Sequence, residues 1–161
     1  MTTPFTLGWE EWVAFPRLGL PAIKAKVDTG ARTSALHASV IEPFGPASNP
    51  QVRFLIQPNP DDLSLEFTCS AKVVDRRQVT SSNGDSEFRY VIQSDVQVGD
   101  RIWPIEITLT NRENMAYRML FGRTSITDDM VVDPNQSFAQ PQLSFDLYKS
   151  IPRKRPVRRP L

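Results

Sequence analysis

The sequence predicts a mostly β protein, folded as a small barrel or sandwich. Fourteen of its 161 residues are proline, which is unfavourable inside helices. Apolar residues tend to alternate with polar ones instead of recurring every three or four positions, and this two-residue period is typical of strands. Turn-forming residues interrupt the chain at short intervals, as in proteins built from many short strands.

The strands themselves can be placed from runs of alternating, β-branched and aromatic residues. Eight are expected, spanning residues 10–15, 22–27, 52–56, 63–74, 77–81, 88–97, 101–110 and 119–121. Asn83-Gly84 lies between two strand-like arms and predicts a hairpin, because both residues tolerate positive φ. Gly99-Asp100 is expected to close a second hairpin.

Two segments depart from regular strands. Residues 43–60 contain five prolines around one short apolar run, which predicts a surface excursion with an edge strand. One short helix is expected after Gly122, capped by Thr124 and running through residues 126–130.

The chain has the size of one domain with a tail. Its length and its 40% apolar content are enough for one hydrophobic core. We predict one folded domain over residues 1–140 and a C-terminal extension over residues 141–161 with a flexible basic end. The single cysteine, the lack of a run of about 18 apolar residues and the absence of a signal-type N-terminus lead us to expect a soluble, cytoplasmic protein.

Positive charge is concentrated at the C-terminal end. Five of the last nine residues are arginine or lysine, whereas the rest of the chain is net acidic. Such a cluster can contact nucleic acid, a ribosome or an acidic protein. A solvated, flexible tail explains the cluster equally well.

Several chemistries lack their residues in this chain. His37 is the only histidine and Cys69 the only cysteine, so a zinc site of the usual ligands cannot be assembled and a Ser-His-Asp or Cys-His mechanism has little support. No glycine-rich phosphate loop is present. We therefore expect no metal ion, no nucleotide and no other cofactor, with Cys69 packed in the core and His37 exposed or partly packed.

Asp28 is the strongest candidate for chemistry. It follows the strand predicted at 22–27 and opens the run Asp28-Thr29-Gly30-Ala31. Gly30 permits a sharp bend and Thr29 offers a hydroxyl for the neighbouring backbone. This pattern would hold a carboxylate in place on a loop, although an ordinary polar turn gives the same letters.

The same residues carry a family resemblance. "AKVDTGA" resembles the active-site loop of the retropepsin-like aspartic peptidases, and "RMLFGRTSI", about ninety residues later, resembles their second signature. More closely, "GWEEWVAFP", "KAKVDTGARTSALHA" and "VVDPNQSF" are similar to a bacterial group of these proteins often labelled ATP-dependent zinc proteases. The resemblance covers roughly residues 7–140 and implies an all-β, small closed acid-protease-like barrel with one short helix.

The resemblance also implies a mechanism. Aspartic peptidases use two carboxylates that share a proton across a bound water, and this chain has a single Asp-Thr-Gly. It therefore implies a homodimer in which Asp28 of each subunit is catalytic. Thr29 would bond across the dimer, Gly30 would let the substrate backbone approach, and Ala31 fills a position where some relatives have serine.

Other site residues follow from the same match. Ser82, Asn83 and Gly84 would form the flap over the substrate, though an ordinary exposed hairpin is the alternative. Gly122 would let its loop pass beneath the aspartate loop. Arg123 would brace the loop or the dimer, unless it is a simple surface arginine.

The partner expected for the cleft is a protein or peptide. Relatives commonly have an acidic residue where this chain has Arg32, and some are linked to an ATP-grasp enzyme that adds glutamates to a ribosomal protein. Arg32, together with Arg89, would favour acidic or glutamate-extended tails. The alternatives are a non-catalytic peptide- or ribosome-binding module on the same fold and a purely structural β domain; contact with a membrane is not expected.

Overall fold

The computed structural model describes residues 3–80, 84–111 and 116–151. Within this part the chain forms eleven strands, which we number β1 to β11 in chain order. They are Phe5–Leu7, Glu10–Phe15, Leu20–Asp28, Ser34–His37, Ser39–Phe44, Gln51–Ile56, Phe67–Thr80, Ser86–Val98, Arg101–Thr110, Met119–Gly122 and Met130–Val132. Three short 3-10 turns cover Pro16–Leu18, Arg123–Ser125 and Phe145–Ser150.

Nine of the strands form one sheet, in which β2, β3, β10, β4, β9 and β8 close into a ring and β7, β6 and β5 continue outward from β8. Their order is β2-β3-β10-β4-β9-β8-β7-β6-β5, and an additional pairing of β2 with β8, between Ala14 and Gln97, completes the ring. β1 and β11 form a separate two-stranded parallel sheet. The prediction of an all-β, barrel-like fold with little helix is confirmed.

The hydrophobic core contains side chains from the ring strands and also from β6 and β7. Burying one such side chain stabilises the fold by about 1.5–3 kcal/mol. The largest fully buried side chains include Phe15, Phe54, Phe121, Leu20, Leu36, Ile92, Ile107 and Met119.

The predicted strands agree with the structure where alternation is strong. β9 has the predicted bounds, and so does β2, although all six of its residues are buried. The segments predicted at 63–74 and 77–81 merge into one long strand, β7, which begins at Phe67, so residues 63–66 were wrongly assigned to a strand. The sequence analysis did not identify β4, since all four of its residues are buried and no alternation is visible. β5 was also missed, and it is the edge strand beside β6 at the end of the sheet.

The short helix expected over residues 126–130 is wrong in position. The helical turn spans Arg123–Ser125, and Gly122 occupies its N-cap without a side-chain hydrogen bond. Met130 instead begins β11 and pairs with Phe5. Pairing with a strand more than a hundred residues away decides this segment, and local capping signals cannot reveal such a partner.

Part of the predicted C-terminal extension packs against the barrel. The Tyr148 hydroxyl is buried and donates to the carbonyl oxygen of Ala22 at 2.6 Å. The rings of Trp12 and Phe145 meet edge to face with centroids 4.9 Å apart. The basic end, residues 152–161, lies outside the described residues.

Glu11 fastens this segment to the start of the chain. Its buried carboxylate accepts hydrogen bonds from the N–H groups of Gly8 at 2.6 Å, Ala139 at 2.9 Å and Gln140 at 3.2 Å. Burial raises the pKa of Glu11, while the three backbone bonds oppose that rise. The carboxylate thus joins residues that are about 130 positions apart.

Replacing Glu11 by alanine should lower the free energy of unfolding by roughly 2–4 kcal/mol, because three backbone donors lose their acceptor. Urea denaturation measures the change, and limited proteolysis should show new cleavage between residues 139 and 151. Glu42→Ala, at an exposed position of β5, is the matched control and should change stability by less than about 0.5 kcal/mol. Equal effects of the two substitutions would refute the anchoring role.

Candidate active site

Asp28 ends β3 and opens a loop that holds its carboxylate. We call residues 28–32 the aspartate loop. The Gly30 N–H donates to Oδ1 of Asp28 at 3.0 Å, and the Ala31 N–H donates to the Asp28 carbonyl oxygen at 3.2 Å. Asp28 is half-buried, whereas Thr29 and Gly30 are exposed. The loop therefore presents an oriented carboxylate next to an open surface.

A second segment supports the aspartate loop from beneath. The N–H groups of Arg123 and Thr124 donate to the carbonyl oxygens of Ala31, at 2.9 Å, and Arg32, at 3.0 Å. Nη1 of Arg123 donates to the Gly30 carbonyl oxygen at 3.3 Å. These contacts place Gly122 and Arg123 against the loop, while the predicted role of Arg123 in a dimer stays a prediction.

Gly122 lies where the two segments are closest. It pairs with Asp28 in the parallel β3–β10 ladder. A Cβ atom added to Gly122 would be 2.6 Å from the Thr33 carbonyl carbon and 2.9 Å from the Ser34 nitrogen. Such distances are far inside van der Waals contact, so only glycine fits.

Two serines that the sequence analysis did not identify hold this junction. Oγ of Ser34 accepts a hydrogen bond from the Gly122 N–H at 3.0 Å and lies 2.7 Å from Oγ of Ser125. Both serines are buried. The carbonyl oxygen of Ser125 also accepts from Nε1 of Trp103 at 2.9 Å. Neither serine has a sequence feature that predicts this role. Ser34 and Ser125 are 91 positions apart in the chain, and only the fold brings their hydroxyl groups together.

The strands beside Asp28 have two distinct faces. Leu120 and Gly122 of β10 pair with Lys26 and Asp28 of β3, and side chains on paired residues point the same way. The residues that alternate with these along the two strands belong to the hydrophobic core and are Ala25, Val27, Met119 and Phe121. The face that bears Asp28 is therefore the one turned away from the core.

Of the three predicted flap residues, the structure describes only Gly84. Gly84 is exposed with φ of +89°, in the left-handed region that a hairpin tip requires. Ser82 and Asn83, the other two flap residues, lie outside the described residues. The hairpin arms are shown by the pairing of Thr80 with Ser86, and the flap role stays a prediction.

Cys69 and His37 are both buried. The thiol of Cys69 donates to the Leu18 carbonyl oxygen at 3.5 Å, and burial raises its pKa to about 12. It is a protonated core residue, as expected. The expectation of an exposed or partly packed His37 is wrong, since it is 2% exposed. β4 lies between β9 and β10 in the middle of the sheet, and the position of a strand in a sheet is not visible in its sequence.

Two general searches cover the described ranges only. They contain no group of three or more His, Cys, Asp or Glu side chains that could hold a metal ion, and a metal-free reaction stays a prediction. No helix in these ranges is long and apolar enough to cross a membrane.

A groove of about 620 Å³ lies elsewhere on the protein, beside the seam where β2 meets β8. Its lining is mainly apolar and includes Ala14, Leu20, Leu143 and Ile151. It contains no residue of the aspartate loop or of its support. The site around Asp28 is open on the single chain, and the groove is a separate feature.

Comparison with known sequences identifies relatives that are longer than this chain. A protein of Shewanella pealeana, named probable alpha-L-glutamate ligase, is 52% identical over 134 residues, which are 83% of this chain and 29% of that protein. A protein of the same name from Parasynechococcus marenigrum is 44% identical over 137 residues, which are 85% of this chain and 29% of that protein. The chain therefore spans less than a third of the length of these relatives.

A solved structure and a family model cover nearly the whole domain. The crystal structure of Lpg0085 from Legionella pneumophila, a protein of unknown function, matches with a TM-score of 0.71 and 26% identity over 84% of this chain and 97% of that chain. The RimB-like family model, described as retropepsin-like aspartic endopeptidase RimB, matches residues 6–143. With Asp28 on a braced loop at the end of β3, the chain belongs to the RimB-like family of retropepsin-like proteins.

Proposed function

We propose that the protein is an aspartic endopeptidase that acts as a homodimer. The observation that carries this proposal is the aspartate loop itself, in which Asp28 is oriented by Gly30 and braced by Arg123 and Thr124. Such bracing suits a carboxylate that must keep one position during a reaction. The family match over residues 6–143 supports the same activity.

The dimer supplies the second carboxylate. The chain has one Asp-Thr-Gly, and a two-fold axis beside the exposed Thr29 and Gly30 would bring two copies of Asp28 together. Two carboxylates at such a short separation share one proton, because ionising both would place two negative charges side by side. One then acts as a base while the other acts as an acid.

The reaction follows from this shared proton. The ionised Asp28 takes a proton from a water molecule, whose oxygen attacks the peptide carbonyl carbon, while the protonated Asp28 of the other subunit donates to the carbonyl oxygen. In the resulting tetrahedral diol, the first Asp28, which now holds the proton from water, gives it to the amide nitrogen, while the Asp28 of the other subunit, now ionised, takes a proton from a diol hydroxyl. The C–N bond breaks and leaves a carboxylic acid and an amine. The first Asp28 is again ionised and the other again protonated, as at the start.

The substrate class that we propose is an acidic segment of a protein, including glutamate-extended tails. Arg32 is exposed in the aspartate loop and brings positive charge to the rim of the site. The relatives named as glutamate ligases contain a region similar to this chain, which suits a hydrolase that acts on glutamyl chains. A cytoplasmic location, to which the single unpaired Cys69 is suited, is part of the proposal.

Peptide cleavage measured together with oligomeric mass tests this function. The protein is incubated with a mixed-sequence peptide library at several concentrations, with and without a metal chelator, and its mass is followed by sedimentation. We expect cleavage that survives the chelator and a specific activity that falls as dilution dissociates the dimer. Specific activity that is independent of the monomer–dimer ratio would contradict the shared site. Absence of cleavage by a stable dimer, with salt-sensitive partner binding that is lost on deleting residues 152–161, would favour a binding module.

A further inference from the structure

Arg118 is a buried arginine without a partner. Its side chain is 4% exposed, and its Nε and Nη1 atoms are enclosed with no hydrogen-bond acceptor within the described part of the chain. Burial lowers the pKa of Arg118, yet a guanidinium stays protonated at neutral pH because its ordinary pKa lies far above neutrality. Arg118 is therefore a buried positive charge that the described residues do not compensate.

Such an arrangement is costly and calls for an explanation. Burying a charge is unfavourable unless hydrogen bonds and an opposite charge compensate it. Arg89, which is also buried, shows how this fold treats a structural arginine, since its Nε donates to Oε1 of Glu87 at 2.6 Å. The Glu87 oxygen also accepts from Oγ1 of Thr110. Glu87 thus neutralises Arg89 within the chain, whereas no acceptor among the described residues bonds Nε or Nη1 of Arg118.

The position of Arg118 relates it to Asp28. Its carbonyl oxygen accepts from the His37 N–H at 2.8 Å, which continues the β4–β10 ladder one residue before β10. Because side chains alternate along a strand, Arg118 shares its face with Leu120 and Gly122. That is the face that bears Asp28. Arg118 lies about 13 Å along the strand from Gly122, at about 3.3 Å per residue.

The same face carries a second cation. Lys26 lies two residues before Asp28, is exposed and pairs with Leu120 of β10. Neither Lys26 nor Arg118 has an ion pair within the described residues. Glu10 of β2 is the cross-strand neighbour of Lys26, whereas Nε and Nη1 of Arg118 have no acceptor among the described residues. Arg118 is therefore the cation on this face that the described residues leave uncompensated.

We propose that Arg118 is a carboxylate-binding subsite for the substrate. Nη2 is the nitrogen of this guanidinium outside the enclosed pair, and it would donate to the carboxylate of a glutamate or aspartate side chain. Since an extended peptide also advances about 3.3 Å per residue, this acidic side chain lies within about four residues of the cleaved bond. Lys26 adds a second positive charge, but it is exposed to water, which screens the charge. Arg118 therefore makes the larger contribution to carboxylate binding. This inference rests on the proposed function, in which the surface beside Asp28 binds the substrate.

The experiment measures binding separately from cleavage. Asp28→Asn protein is titrated with a capped tetraglutamate peptide and with a capped tetraglutamine peptide, and the same titrations are done with Arg118→Met and Arg118→Lys added. We expect Arg118→Met to weaken tetraglutamate binding at least about tenfold, as loss of a charged hydrogen-bond pair does, and to leave tetraglutamine binding unchanged. Arg118→Lys should restore part of the loss. Arg53→Met, at an exposed position of β6, is the matched control and should change neither affinity.

Failures of the two proposals can be told apart. Tetraglutamate binding that depends on Arg118, in a protein that cleaves nothing, would support the subsite and refute the endopeptidase. Cleavage of acidic and neutral peptides in the same ratio by wild type and Arg118→Met would overturn the subsite and leave the endopeptidase standing.

Stability provides a check that does not require a ligand. An arginine kept for ligand binding destabilises the free protein, so Arg118→Met should melt at the same or a higher temperature than the parent. A lower melting temperature of Arg118→Met, combined with an unchanged affinity of this variant for tetraglutamate, would assign Arg118 a structural role and overturn the proposal.

Discussion

Replacing Asp28 by asparagine should lower kcat at least about a thousandfold, the scale on which enzymes lose rate when an essential acid–base group is removed. The amide has nearly the shape of the carboxylate, and its oxygen can still accept the Gly30 N–H that now bonds Oδ1 at 3.0 Å. The loop should therefore keep its conformation while the proton-transfer group is lost. Steady-state kinetics on a cleaved peptide measures kcat, and the melting temperature shows that the fold persists.

A mixing experiment sharpens this prediction. If wild-type and Asp28→Asn subunits exchange freely in equal amounts, about a quarter of the dimers contain two intact chains, as random pairing in a two-fold dimer requires. Activity should fall to that fraction of the value for an equal total amount of wild type. A fall to one half would mean that each chain works alone and would refute the shared dyad. Asp61→Asn, at an exposed position, is the control and should have no effect in either assay.

Replacing Gly122 by alanine should destabilise the protein by about 3 kcal/mol or more, near the upper end of the range for overpacking a rigid site. The added methyl group would meet backbone atoms of Thr33 and Ser34 at 2.6 to 2.9 Å, and backbone cannot move aside as a flexible side chain can. Any relief must displace β4 or β10, and both strands support the aspartate loop. Activity should be lost along with stability, as measured by urea denaturation and peptide cleavage.

Gly30→Ala is the informative comparison. A Cβ atom at Gly30 would meet only Oδ1 of Asp28, at 3.2 Å. Stability should change by less than about 1 kcal/mol, within the usual range for a surface position, while activity falls because the methyl group crowds the carboxylate. Equal destabilisation by Gly30→Ala and Gly122→Ala would show that the contact with Thr33 and Ser34 is not the constraint.

Alternation located strands that have one face in the core and one face outside. The long hairpin of β7 and β8 was anticipated from Asn83-Gly84 between alternating arms, and β9 was located to the residue. β2 was also located to the residue, from its aromatic and β-branched residues, although all six of its residues are buried. β4, whose four residues are all buried, was missed, and so was β11, whose strand partner among the described residues is β1 at the other end of the chain. Periodicity reports the contrast between two environments, so it is silent where that contrast is missing.

The candidate site shows the same division. Asp28, Gly30, Gly122 and Arg123 stand in two short motifs whose letters are unusual enough to be noticed in sequence. The hydrogen bonds of Ser34 with Gly122 and Ser125 join segments about ninety residues apart, and nothing local marks either serine. Arg89 was a reasonable candidate for substrate contact, yet Glu87 already neutralises it. Arg118 begins the run "RMLFGRTSI", but the sequence analysis assigned it no role.

The sequence by itself determined the β class, the aspartate loop, its supporting glycine and the family, because each depends on residues that are adjacent or follow a short period. Only the tertiary structure decided the closure of the sheet through β2 and β8 and the close approach at Gly122. It also decided the contrast between Arg89, which is paired, and Arg118, which has no partner among the described residues. Each of these is a contact or a missing contact between distant segments. Such contacts follow from how strands are ordered in the sheet, and the pattern within a single strand does not encode that order.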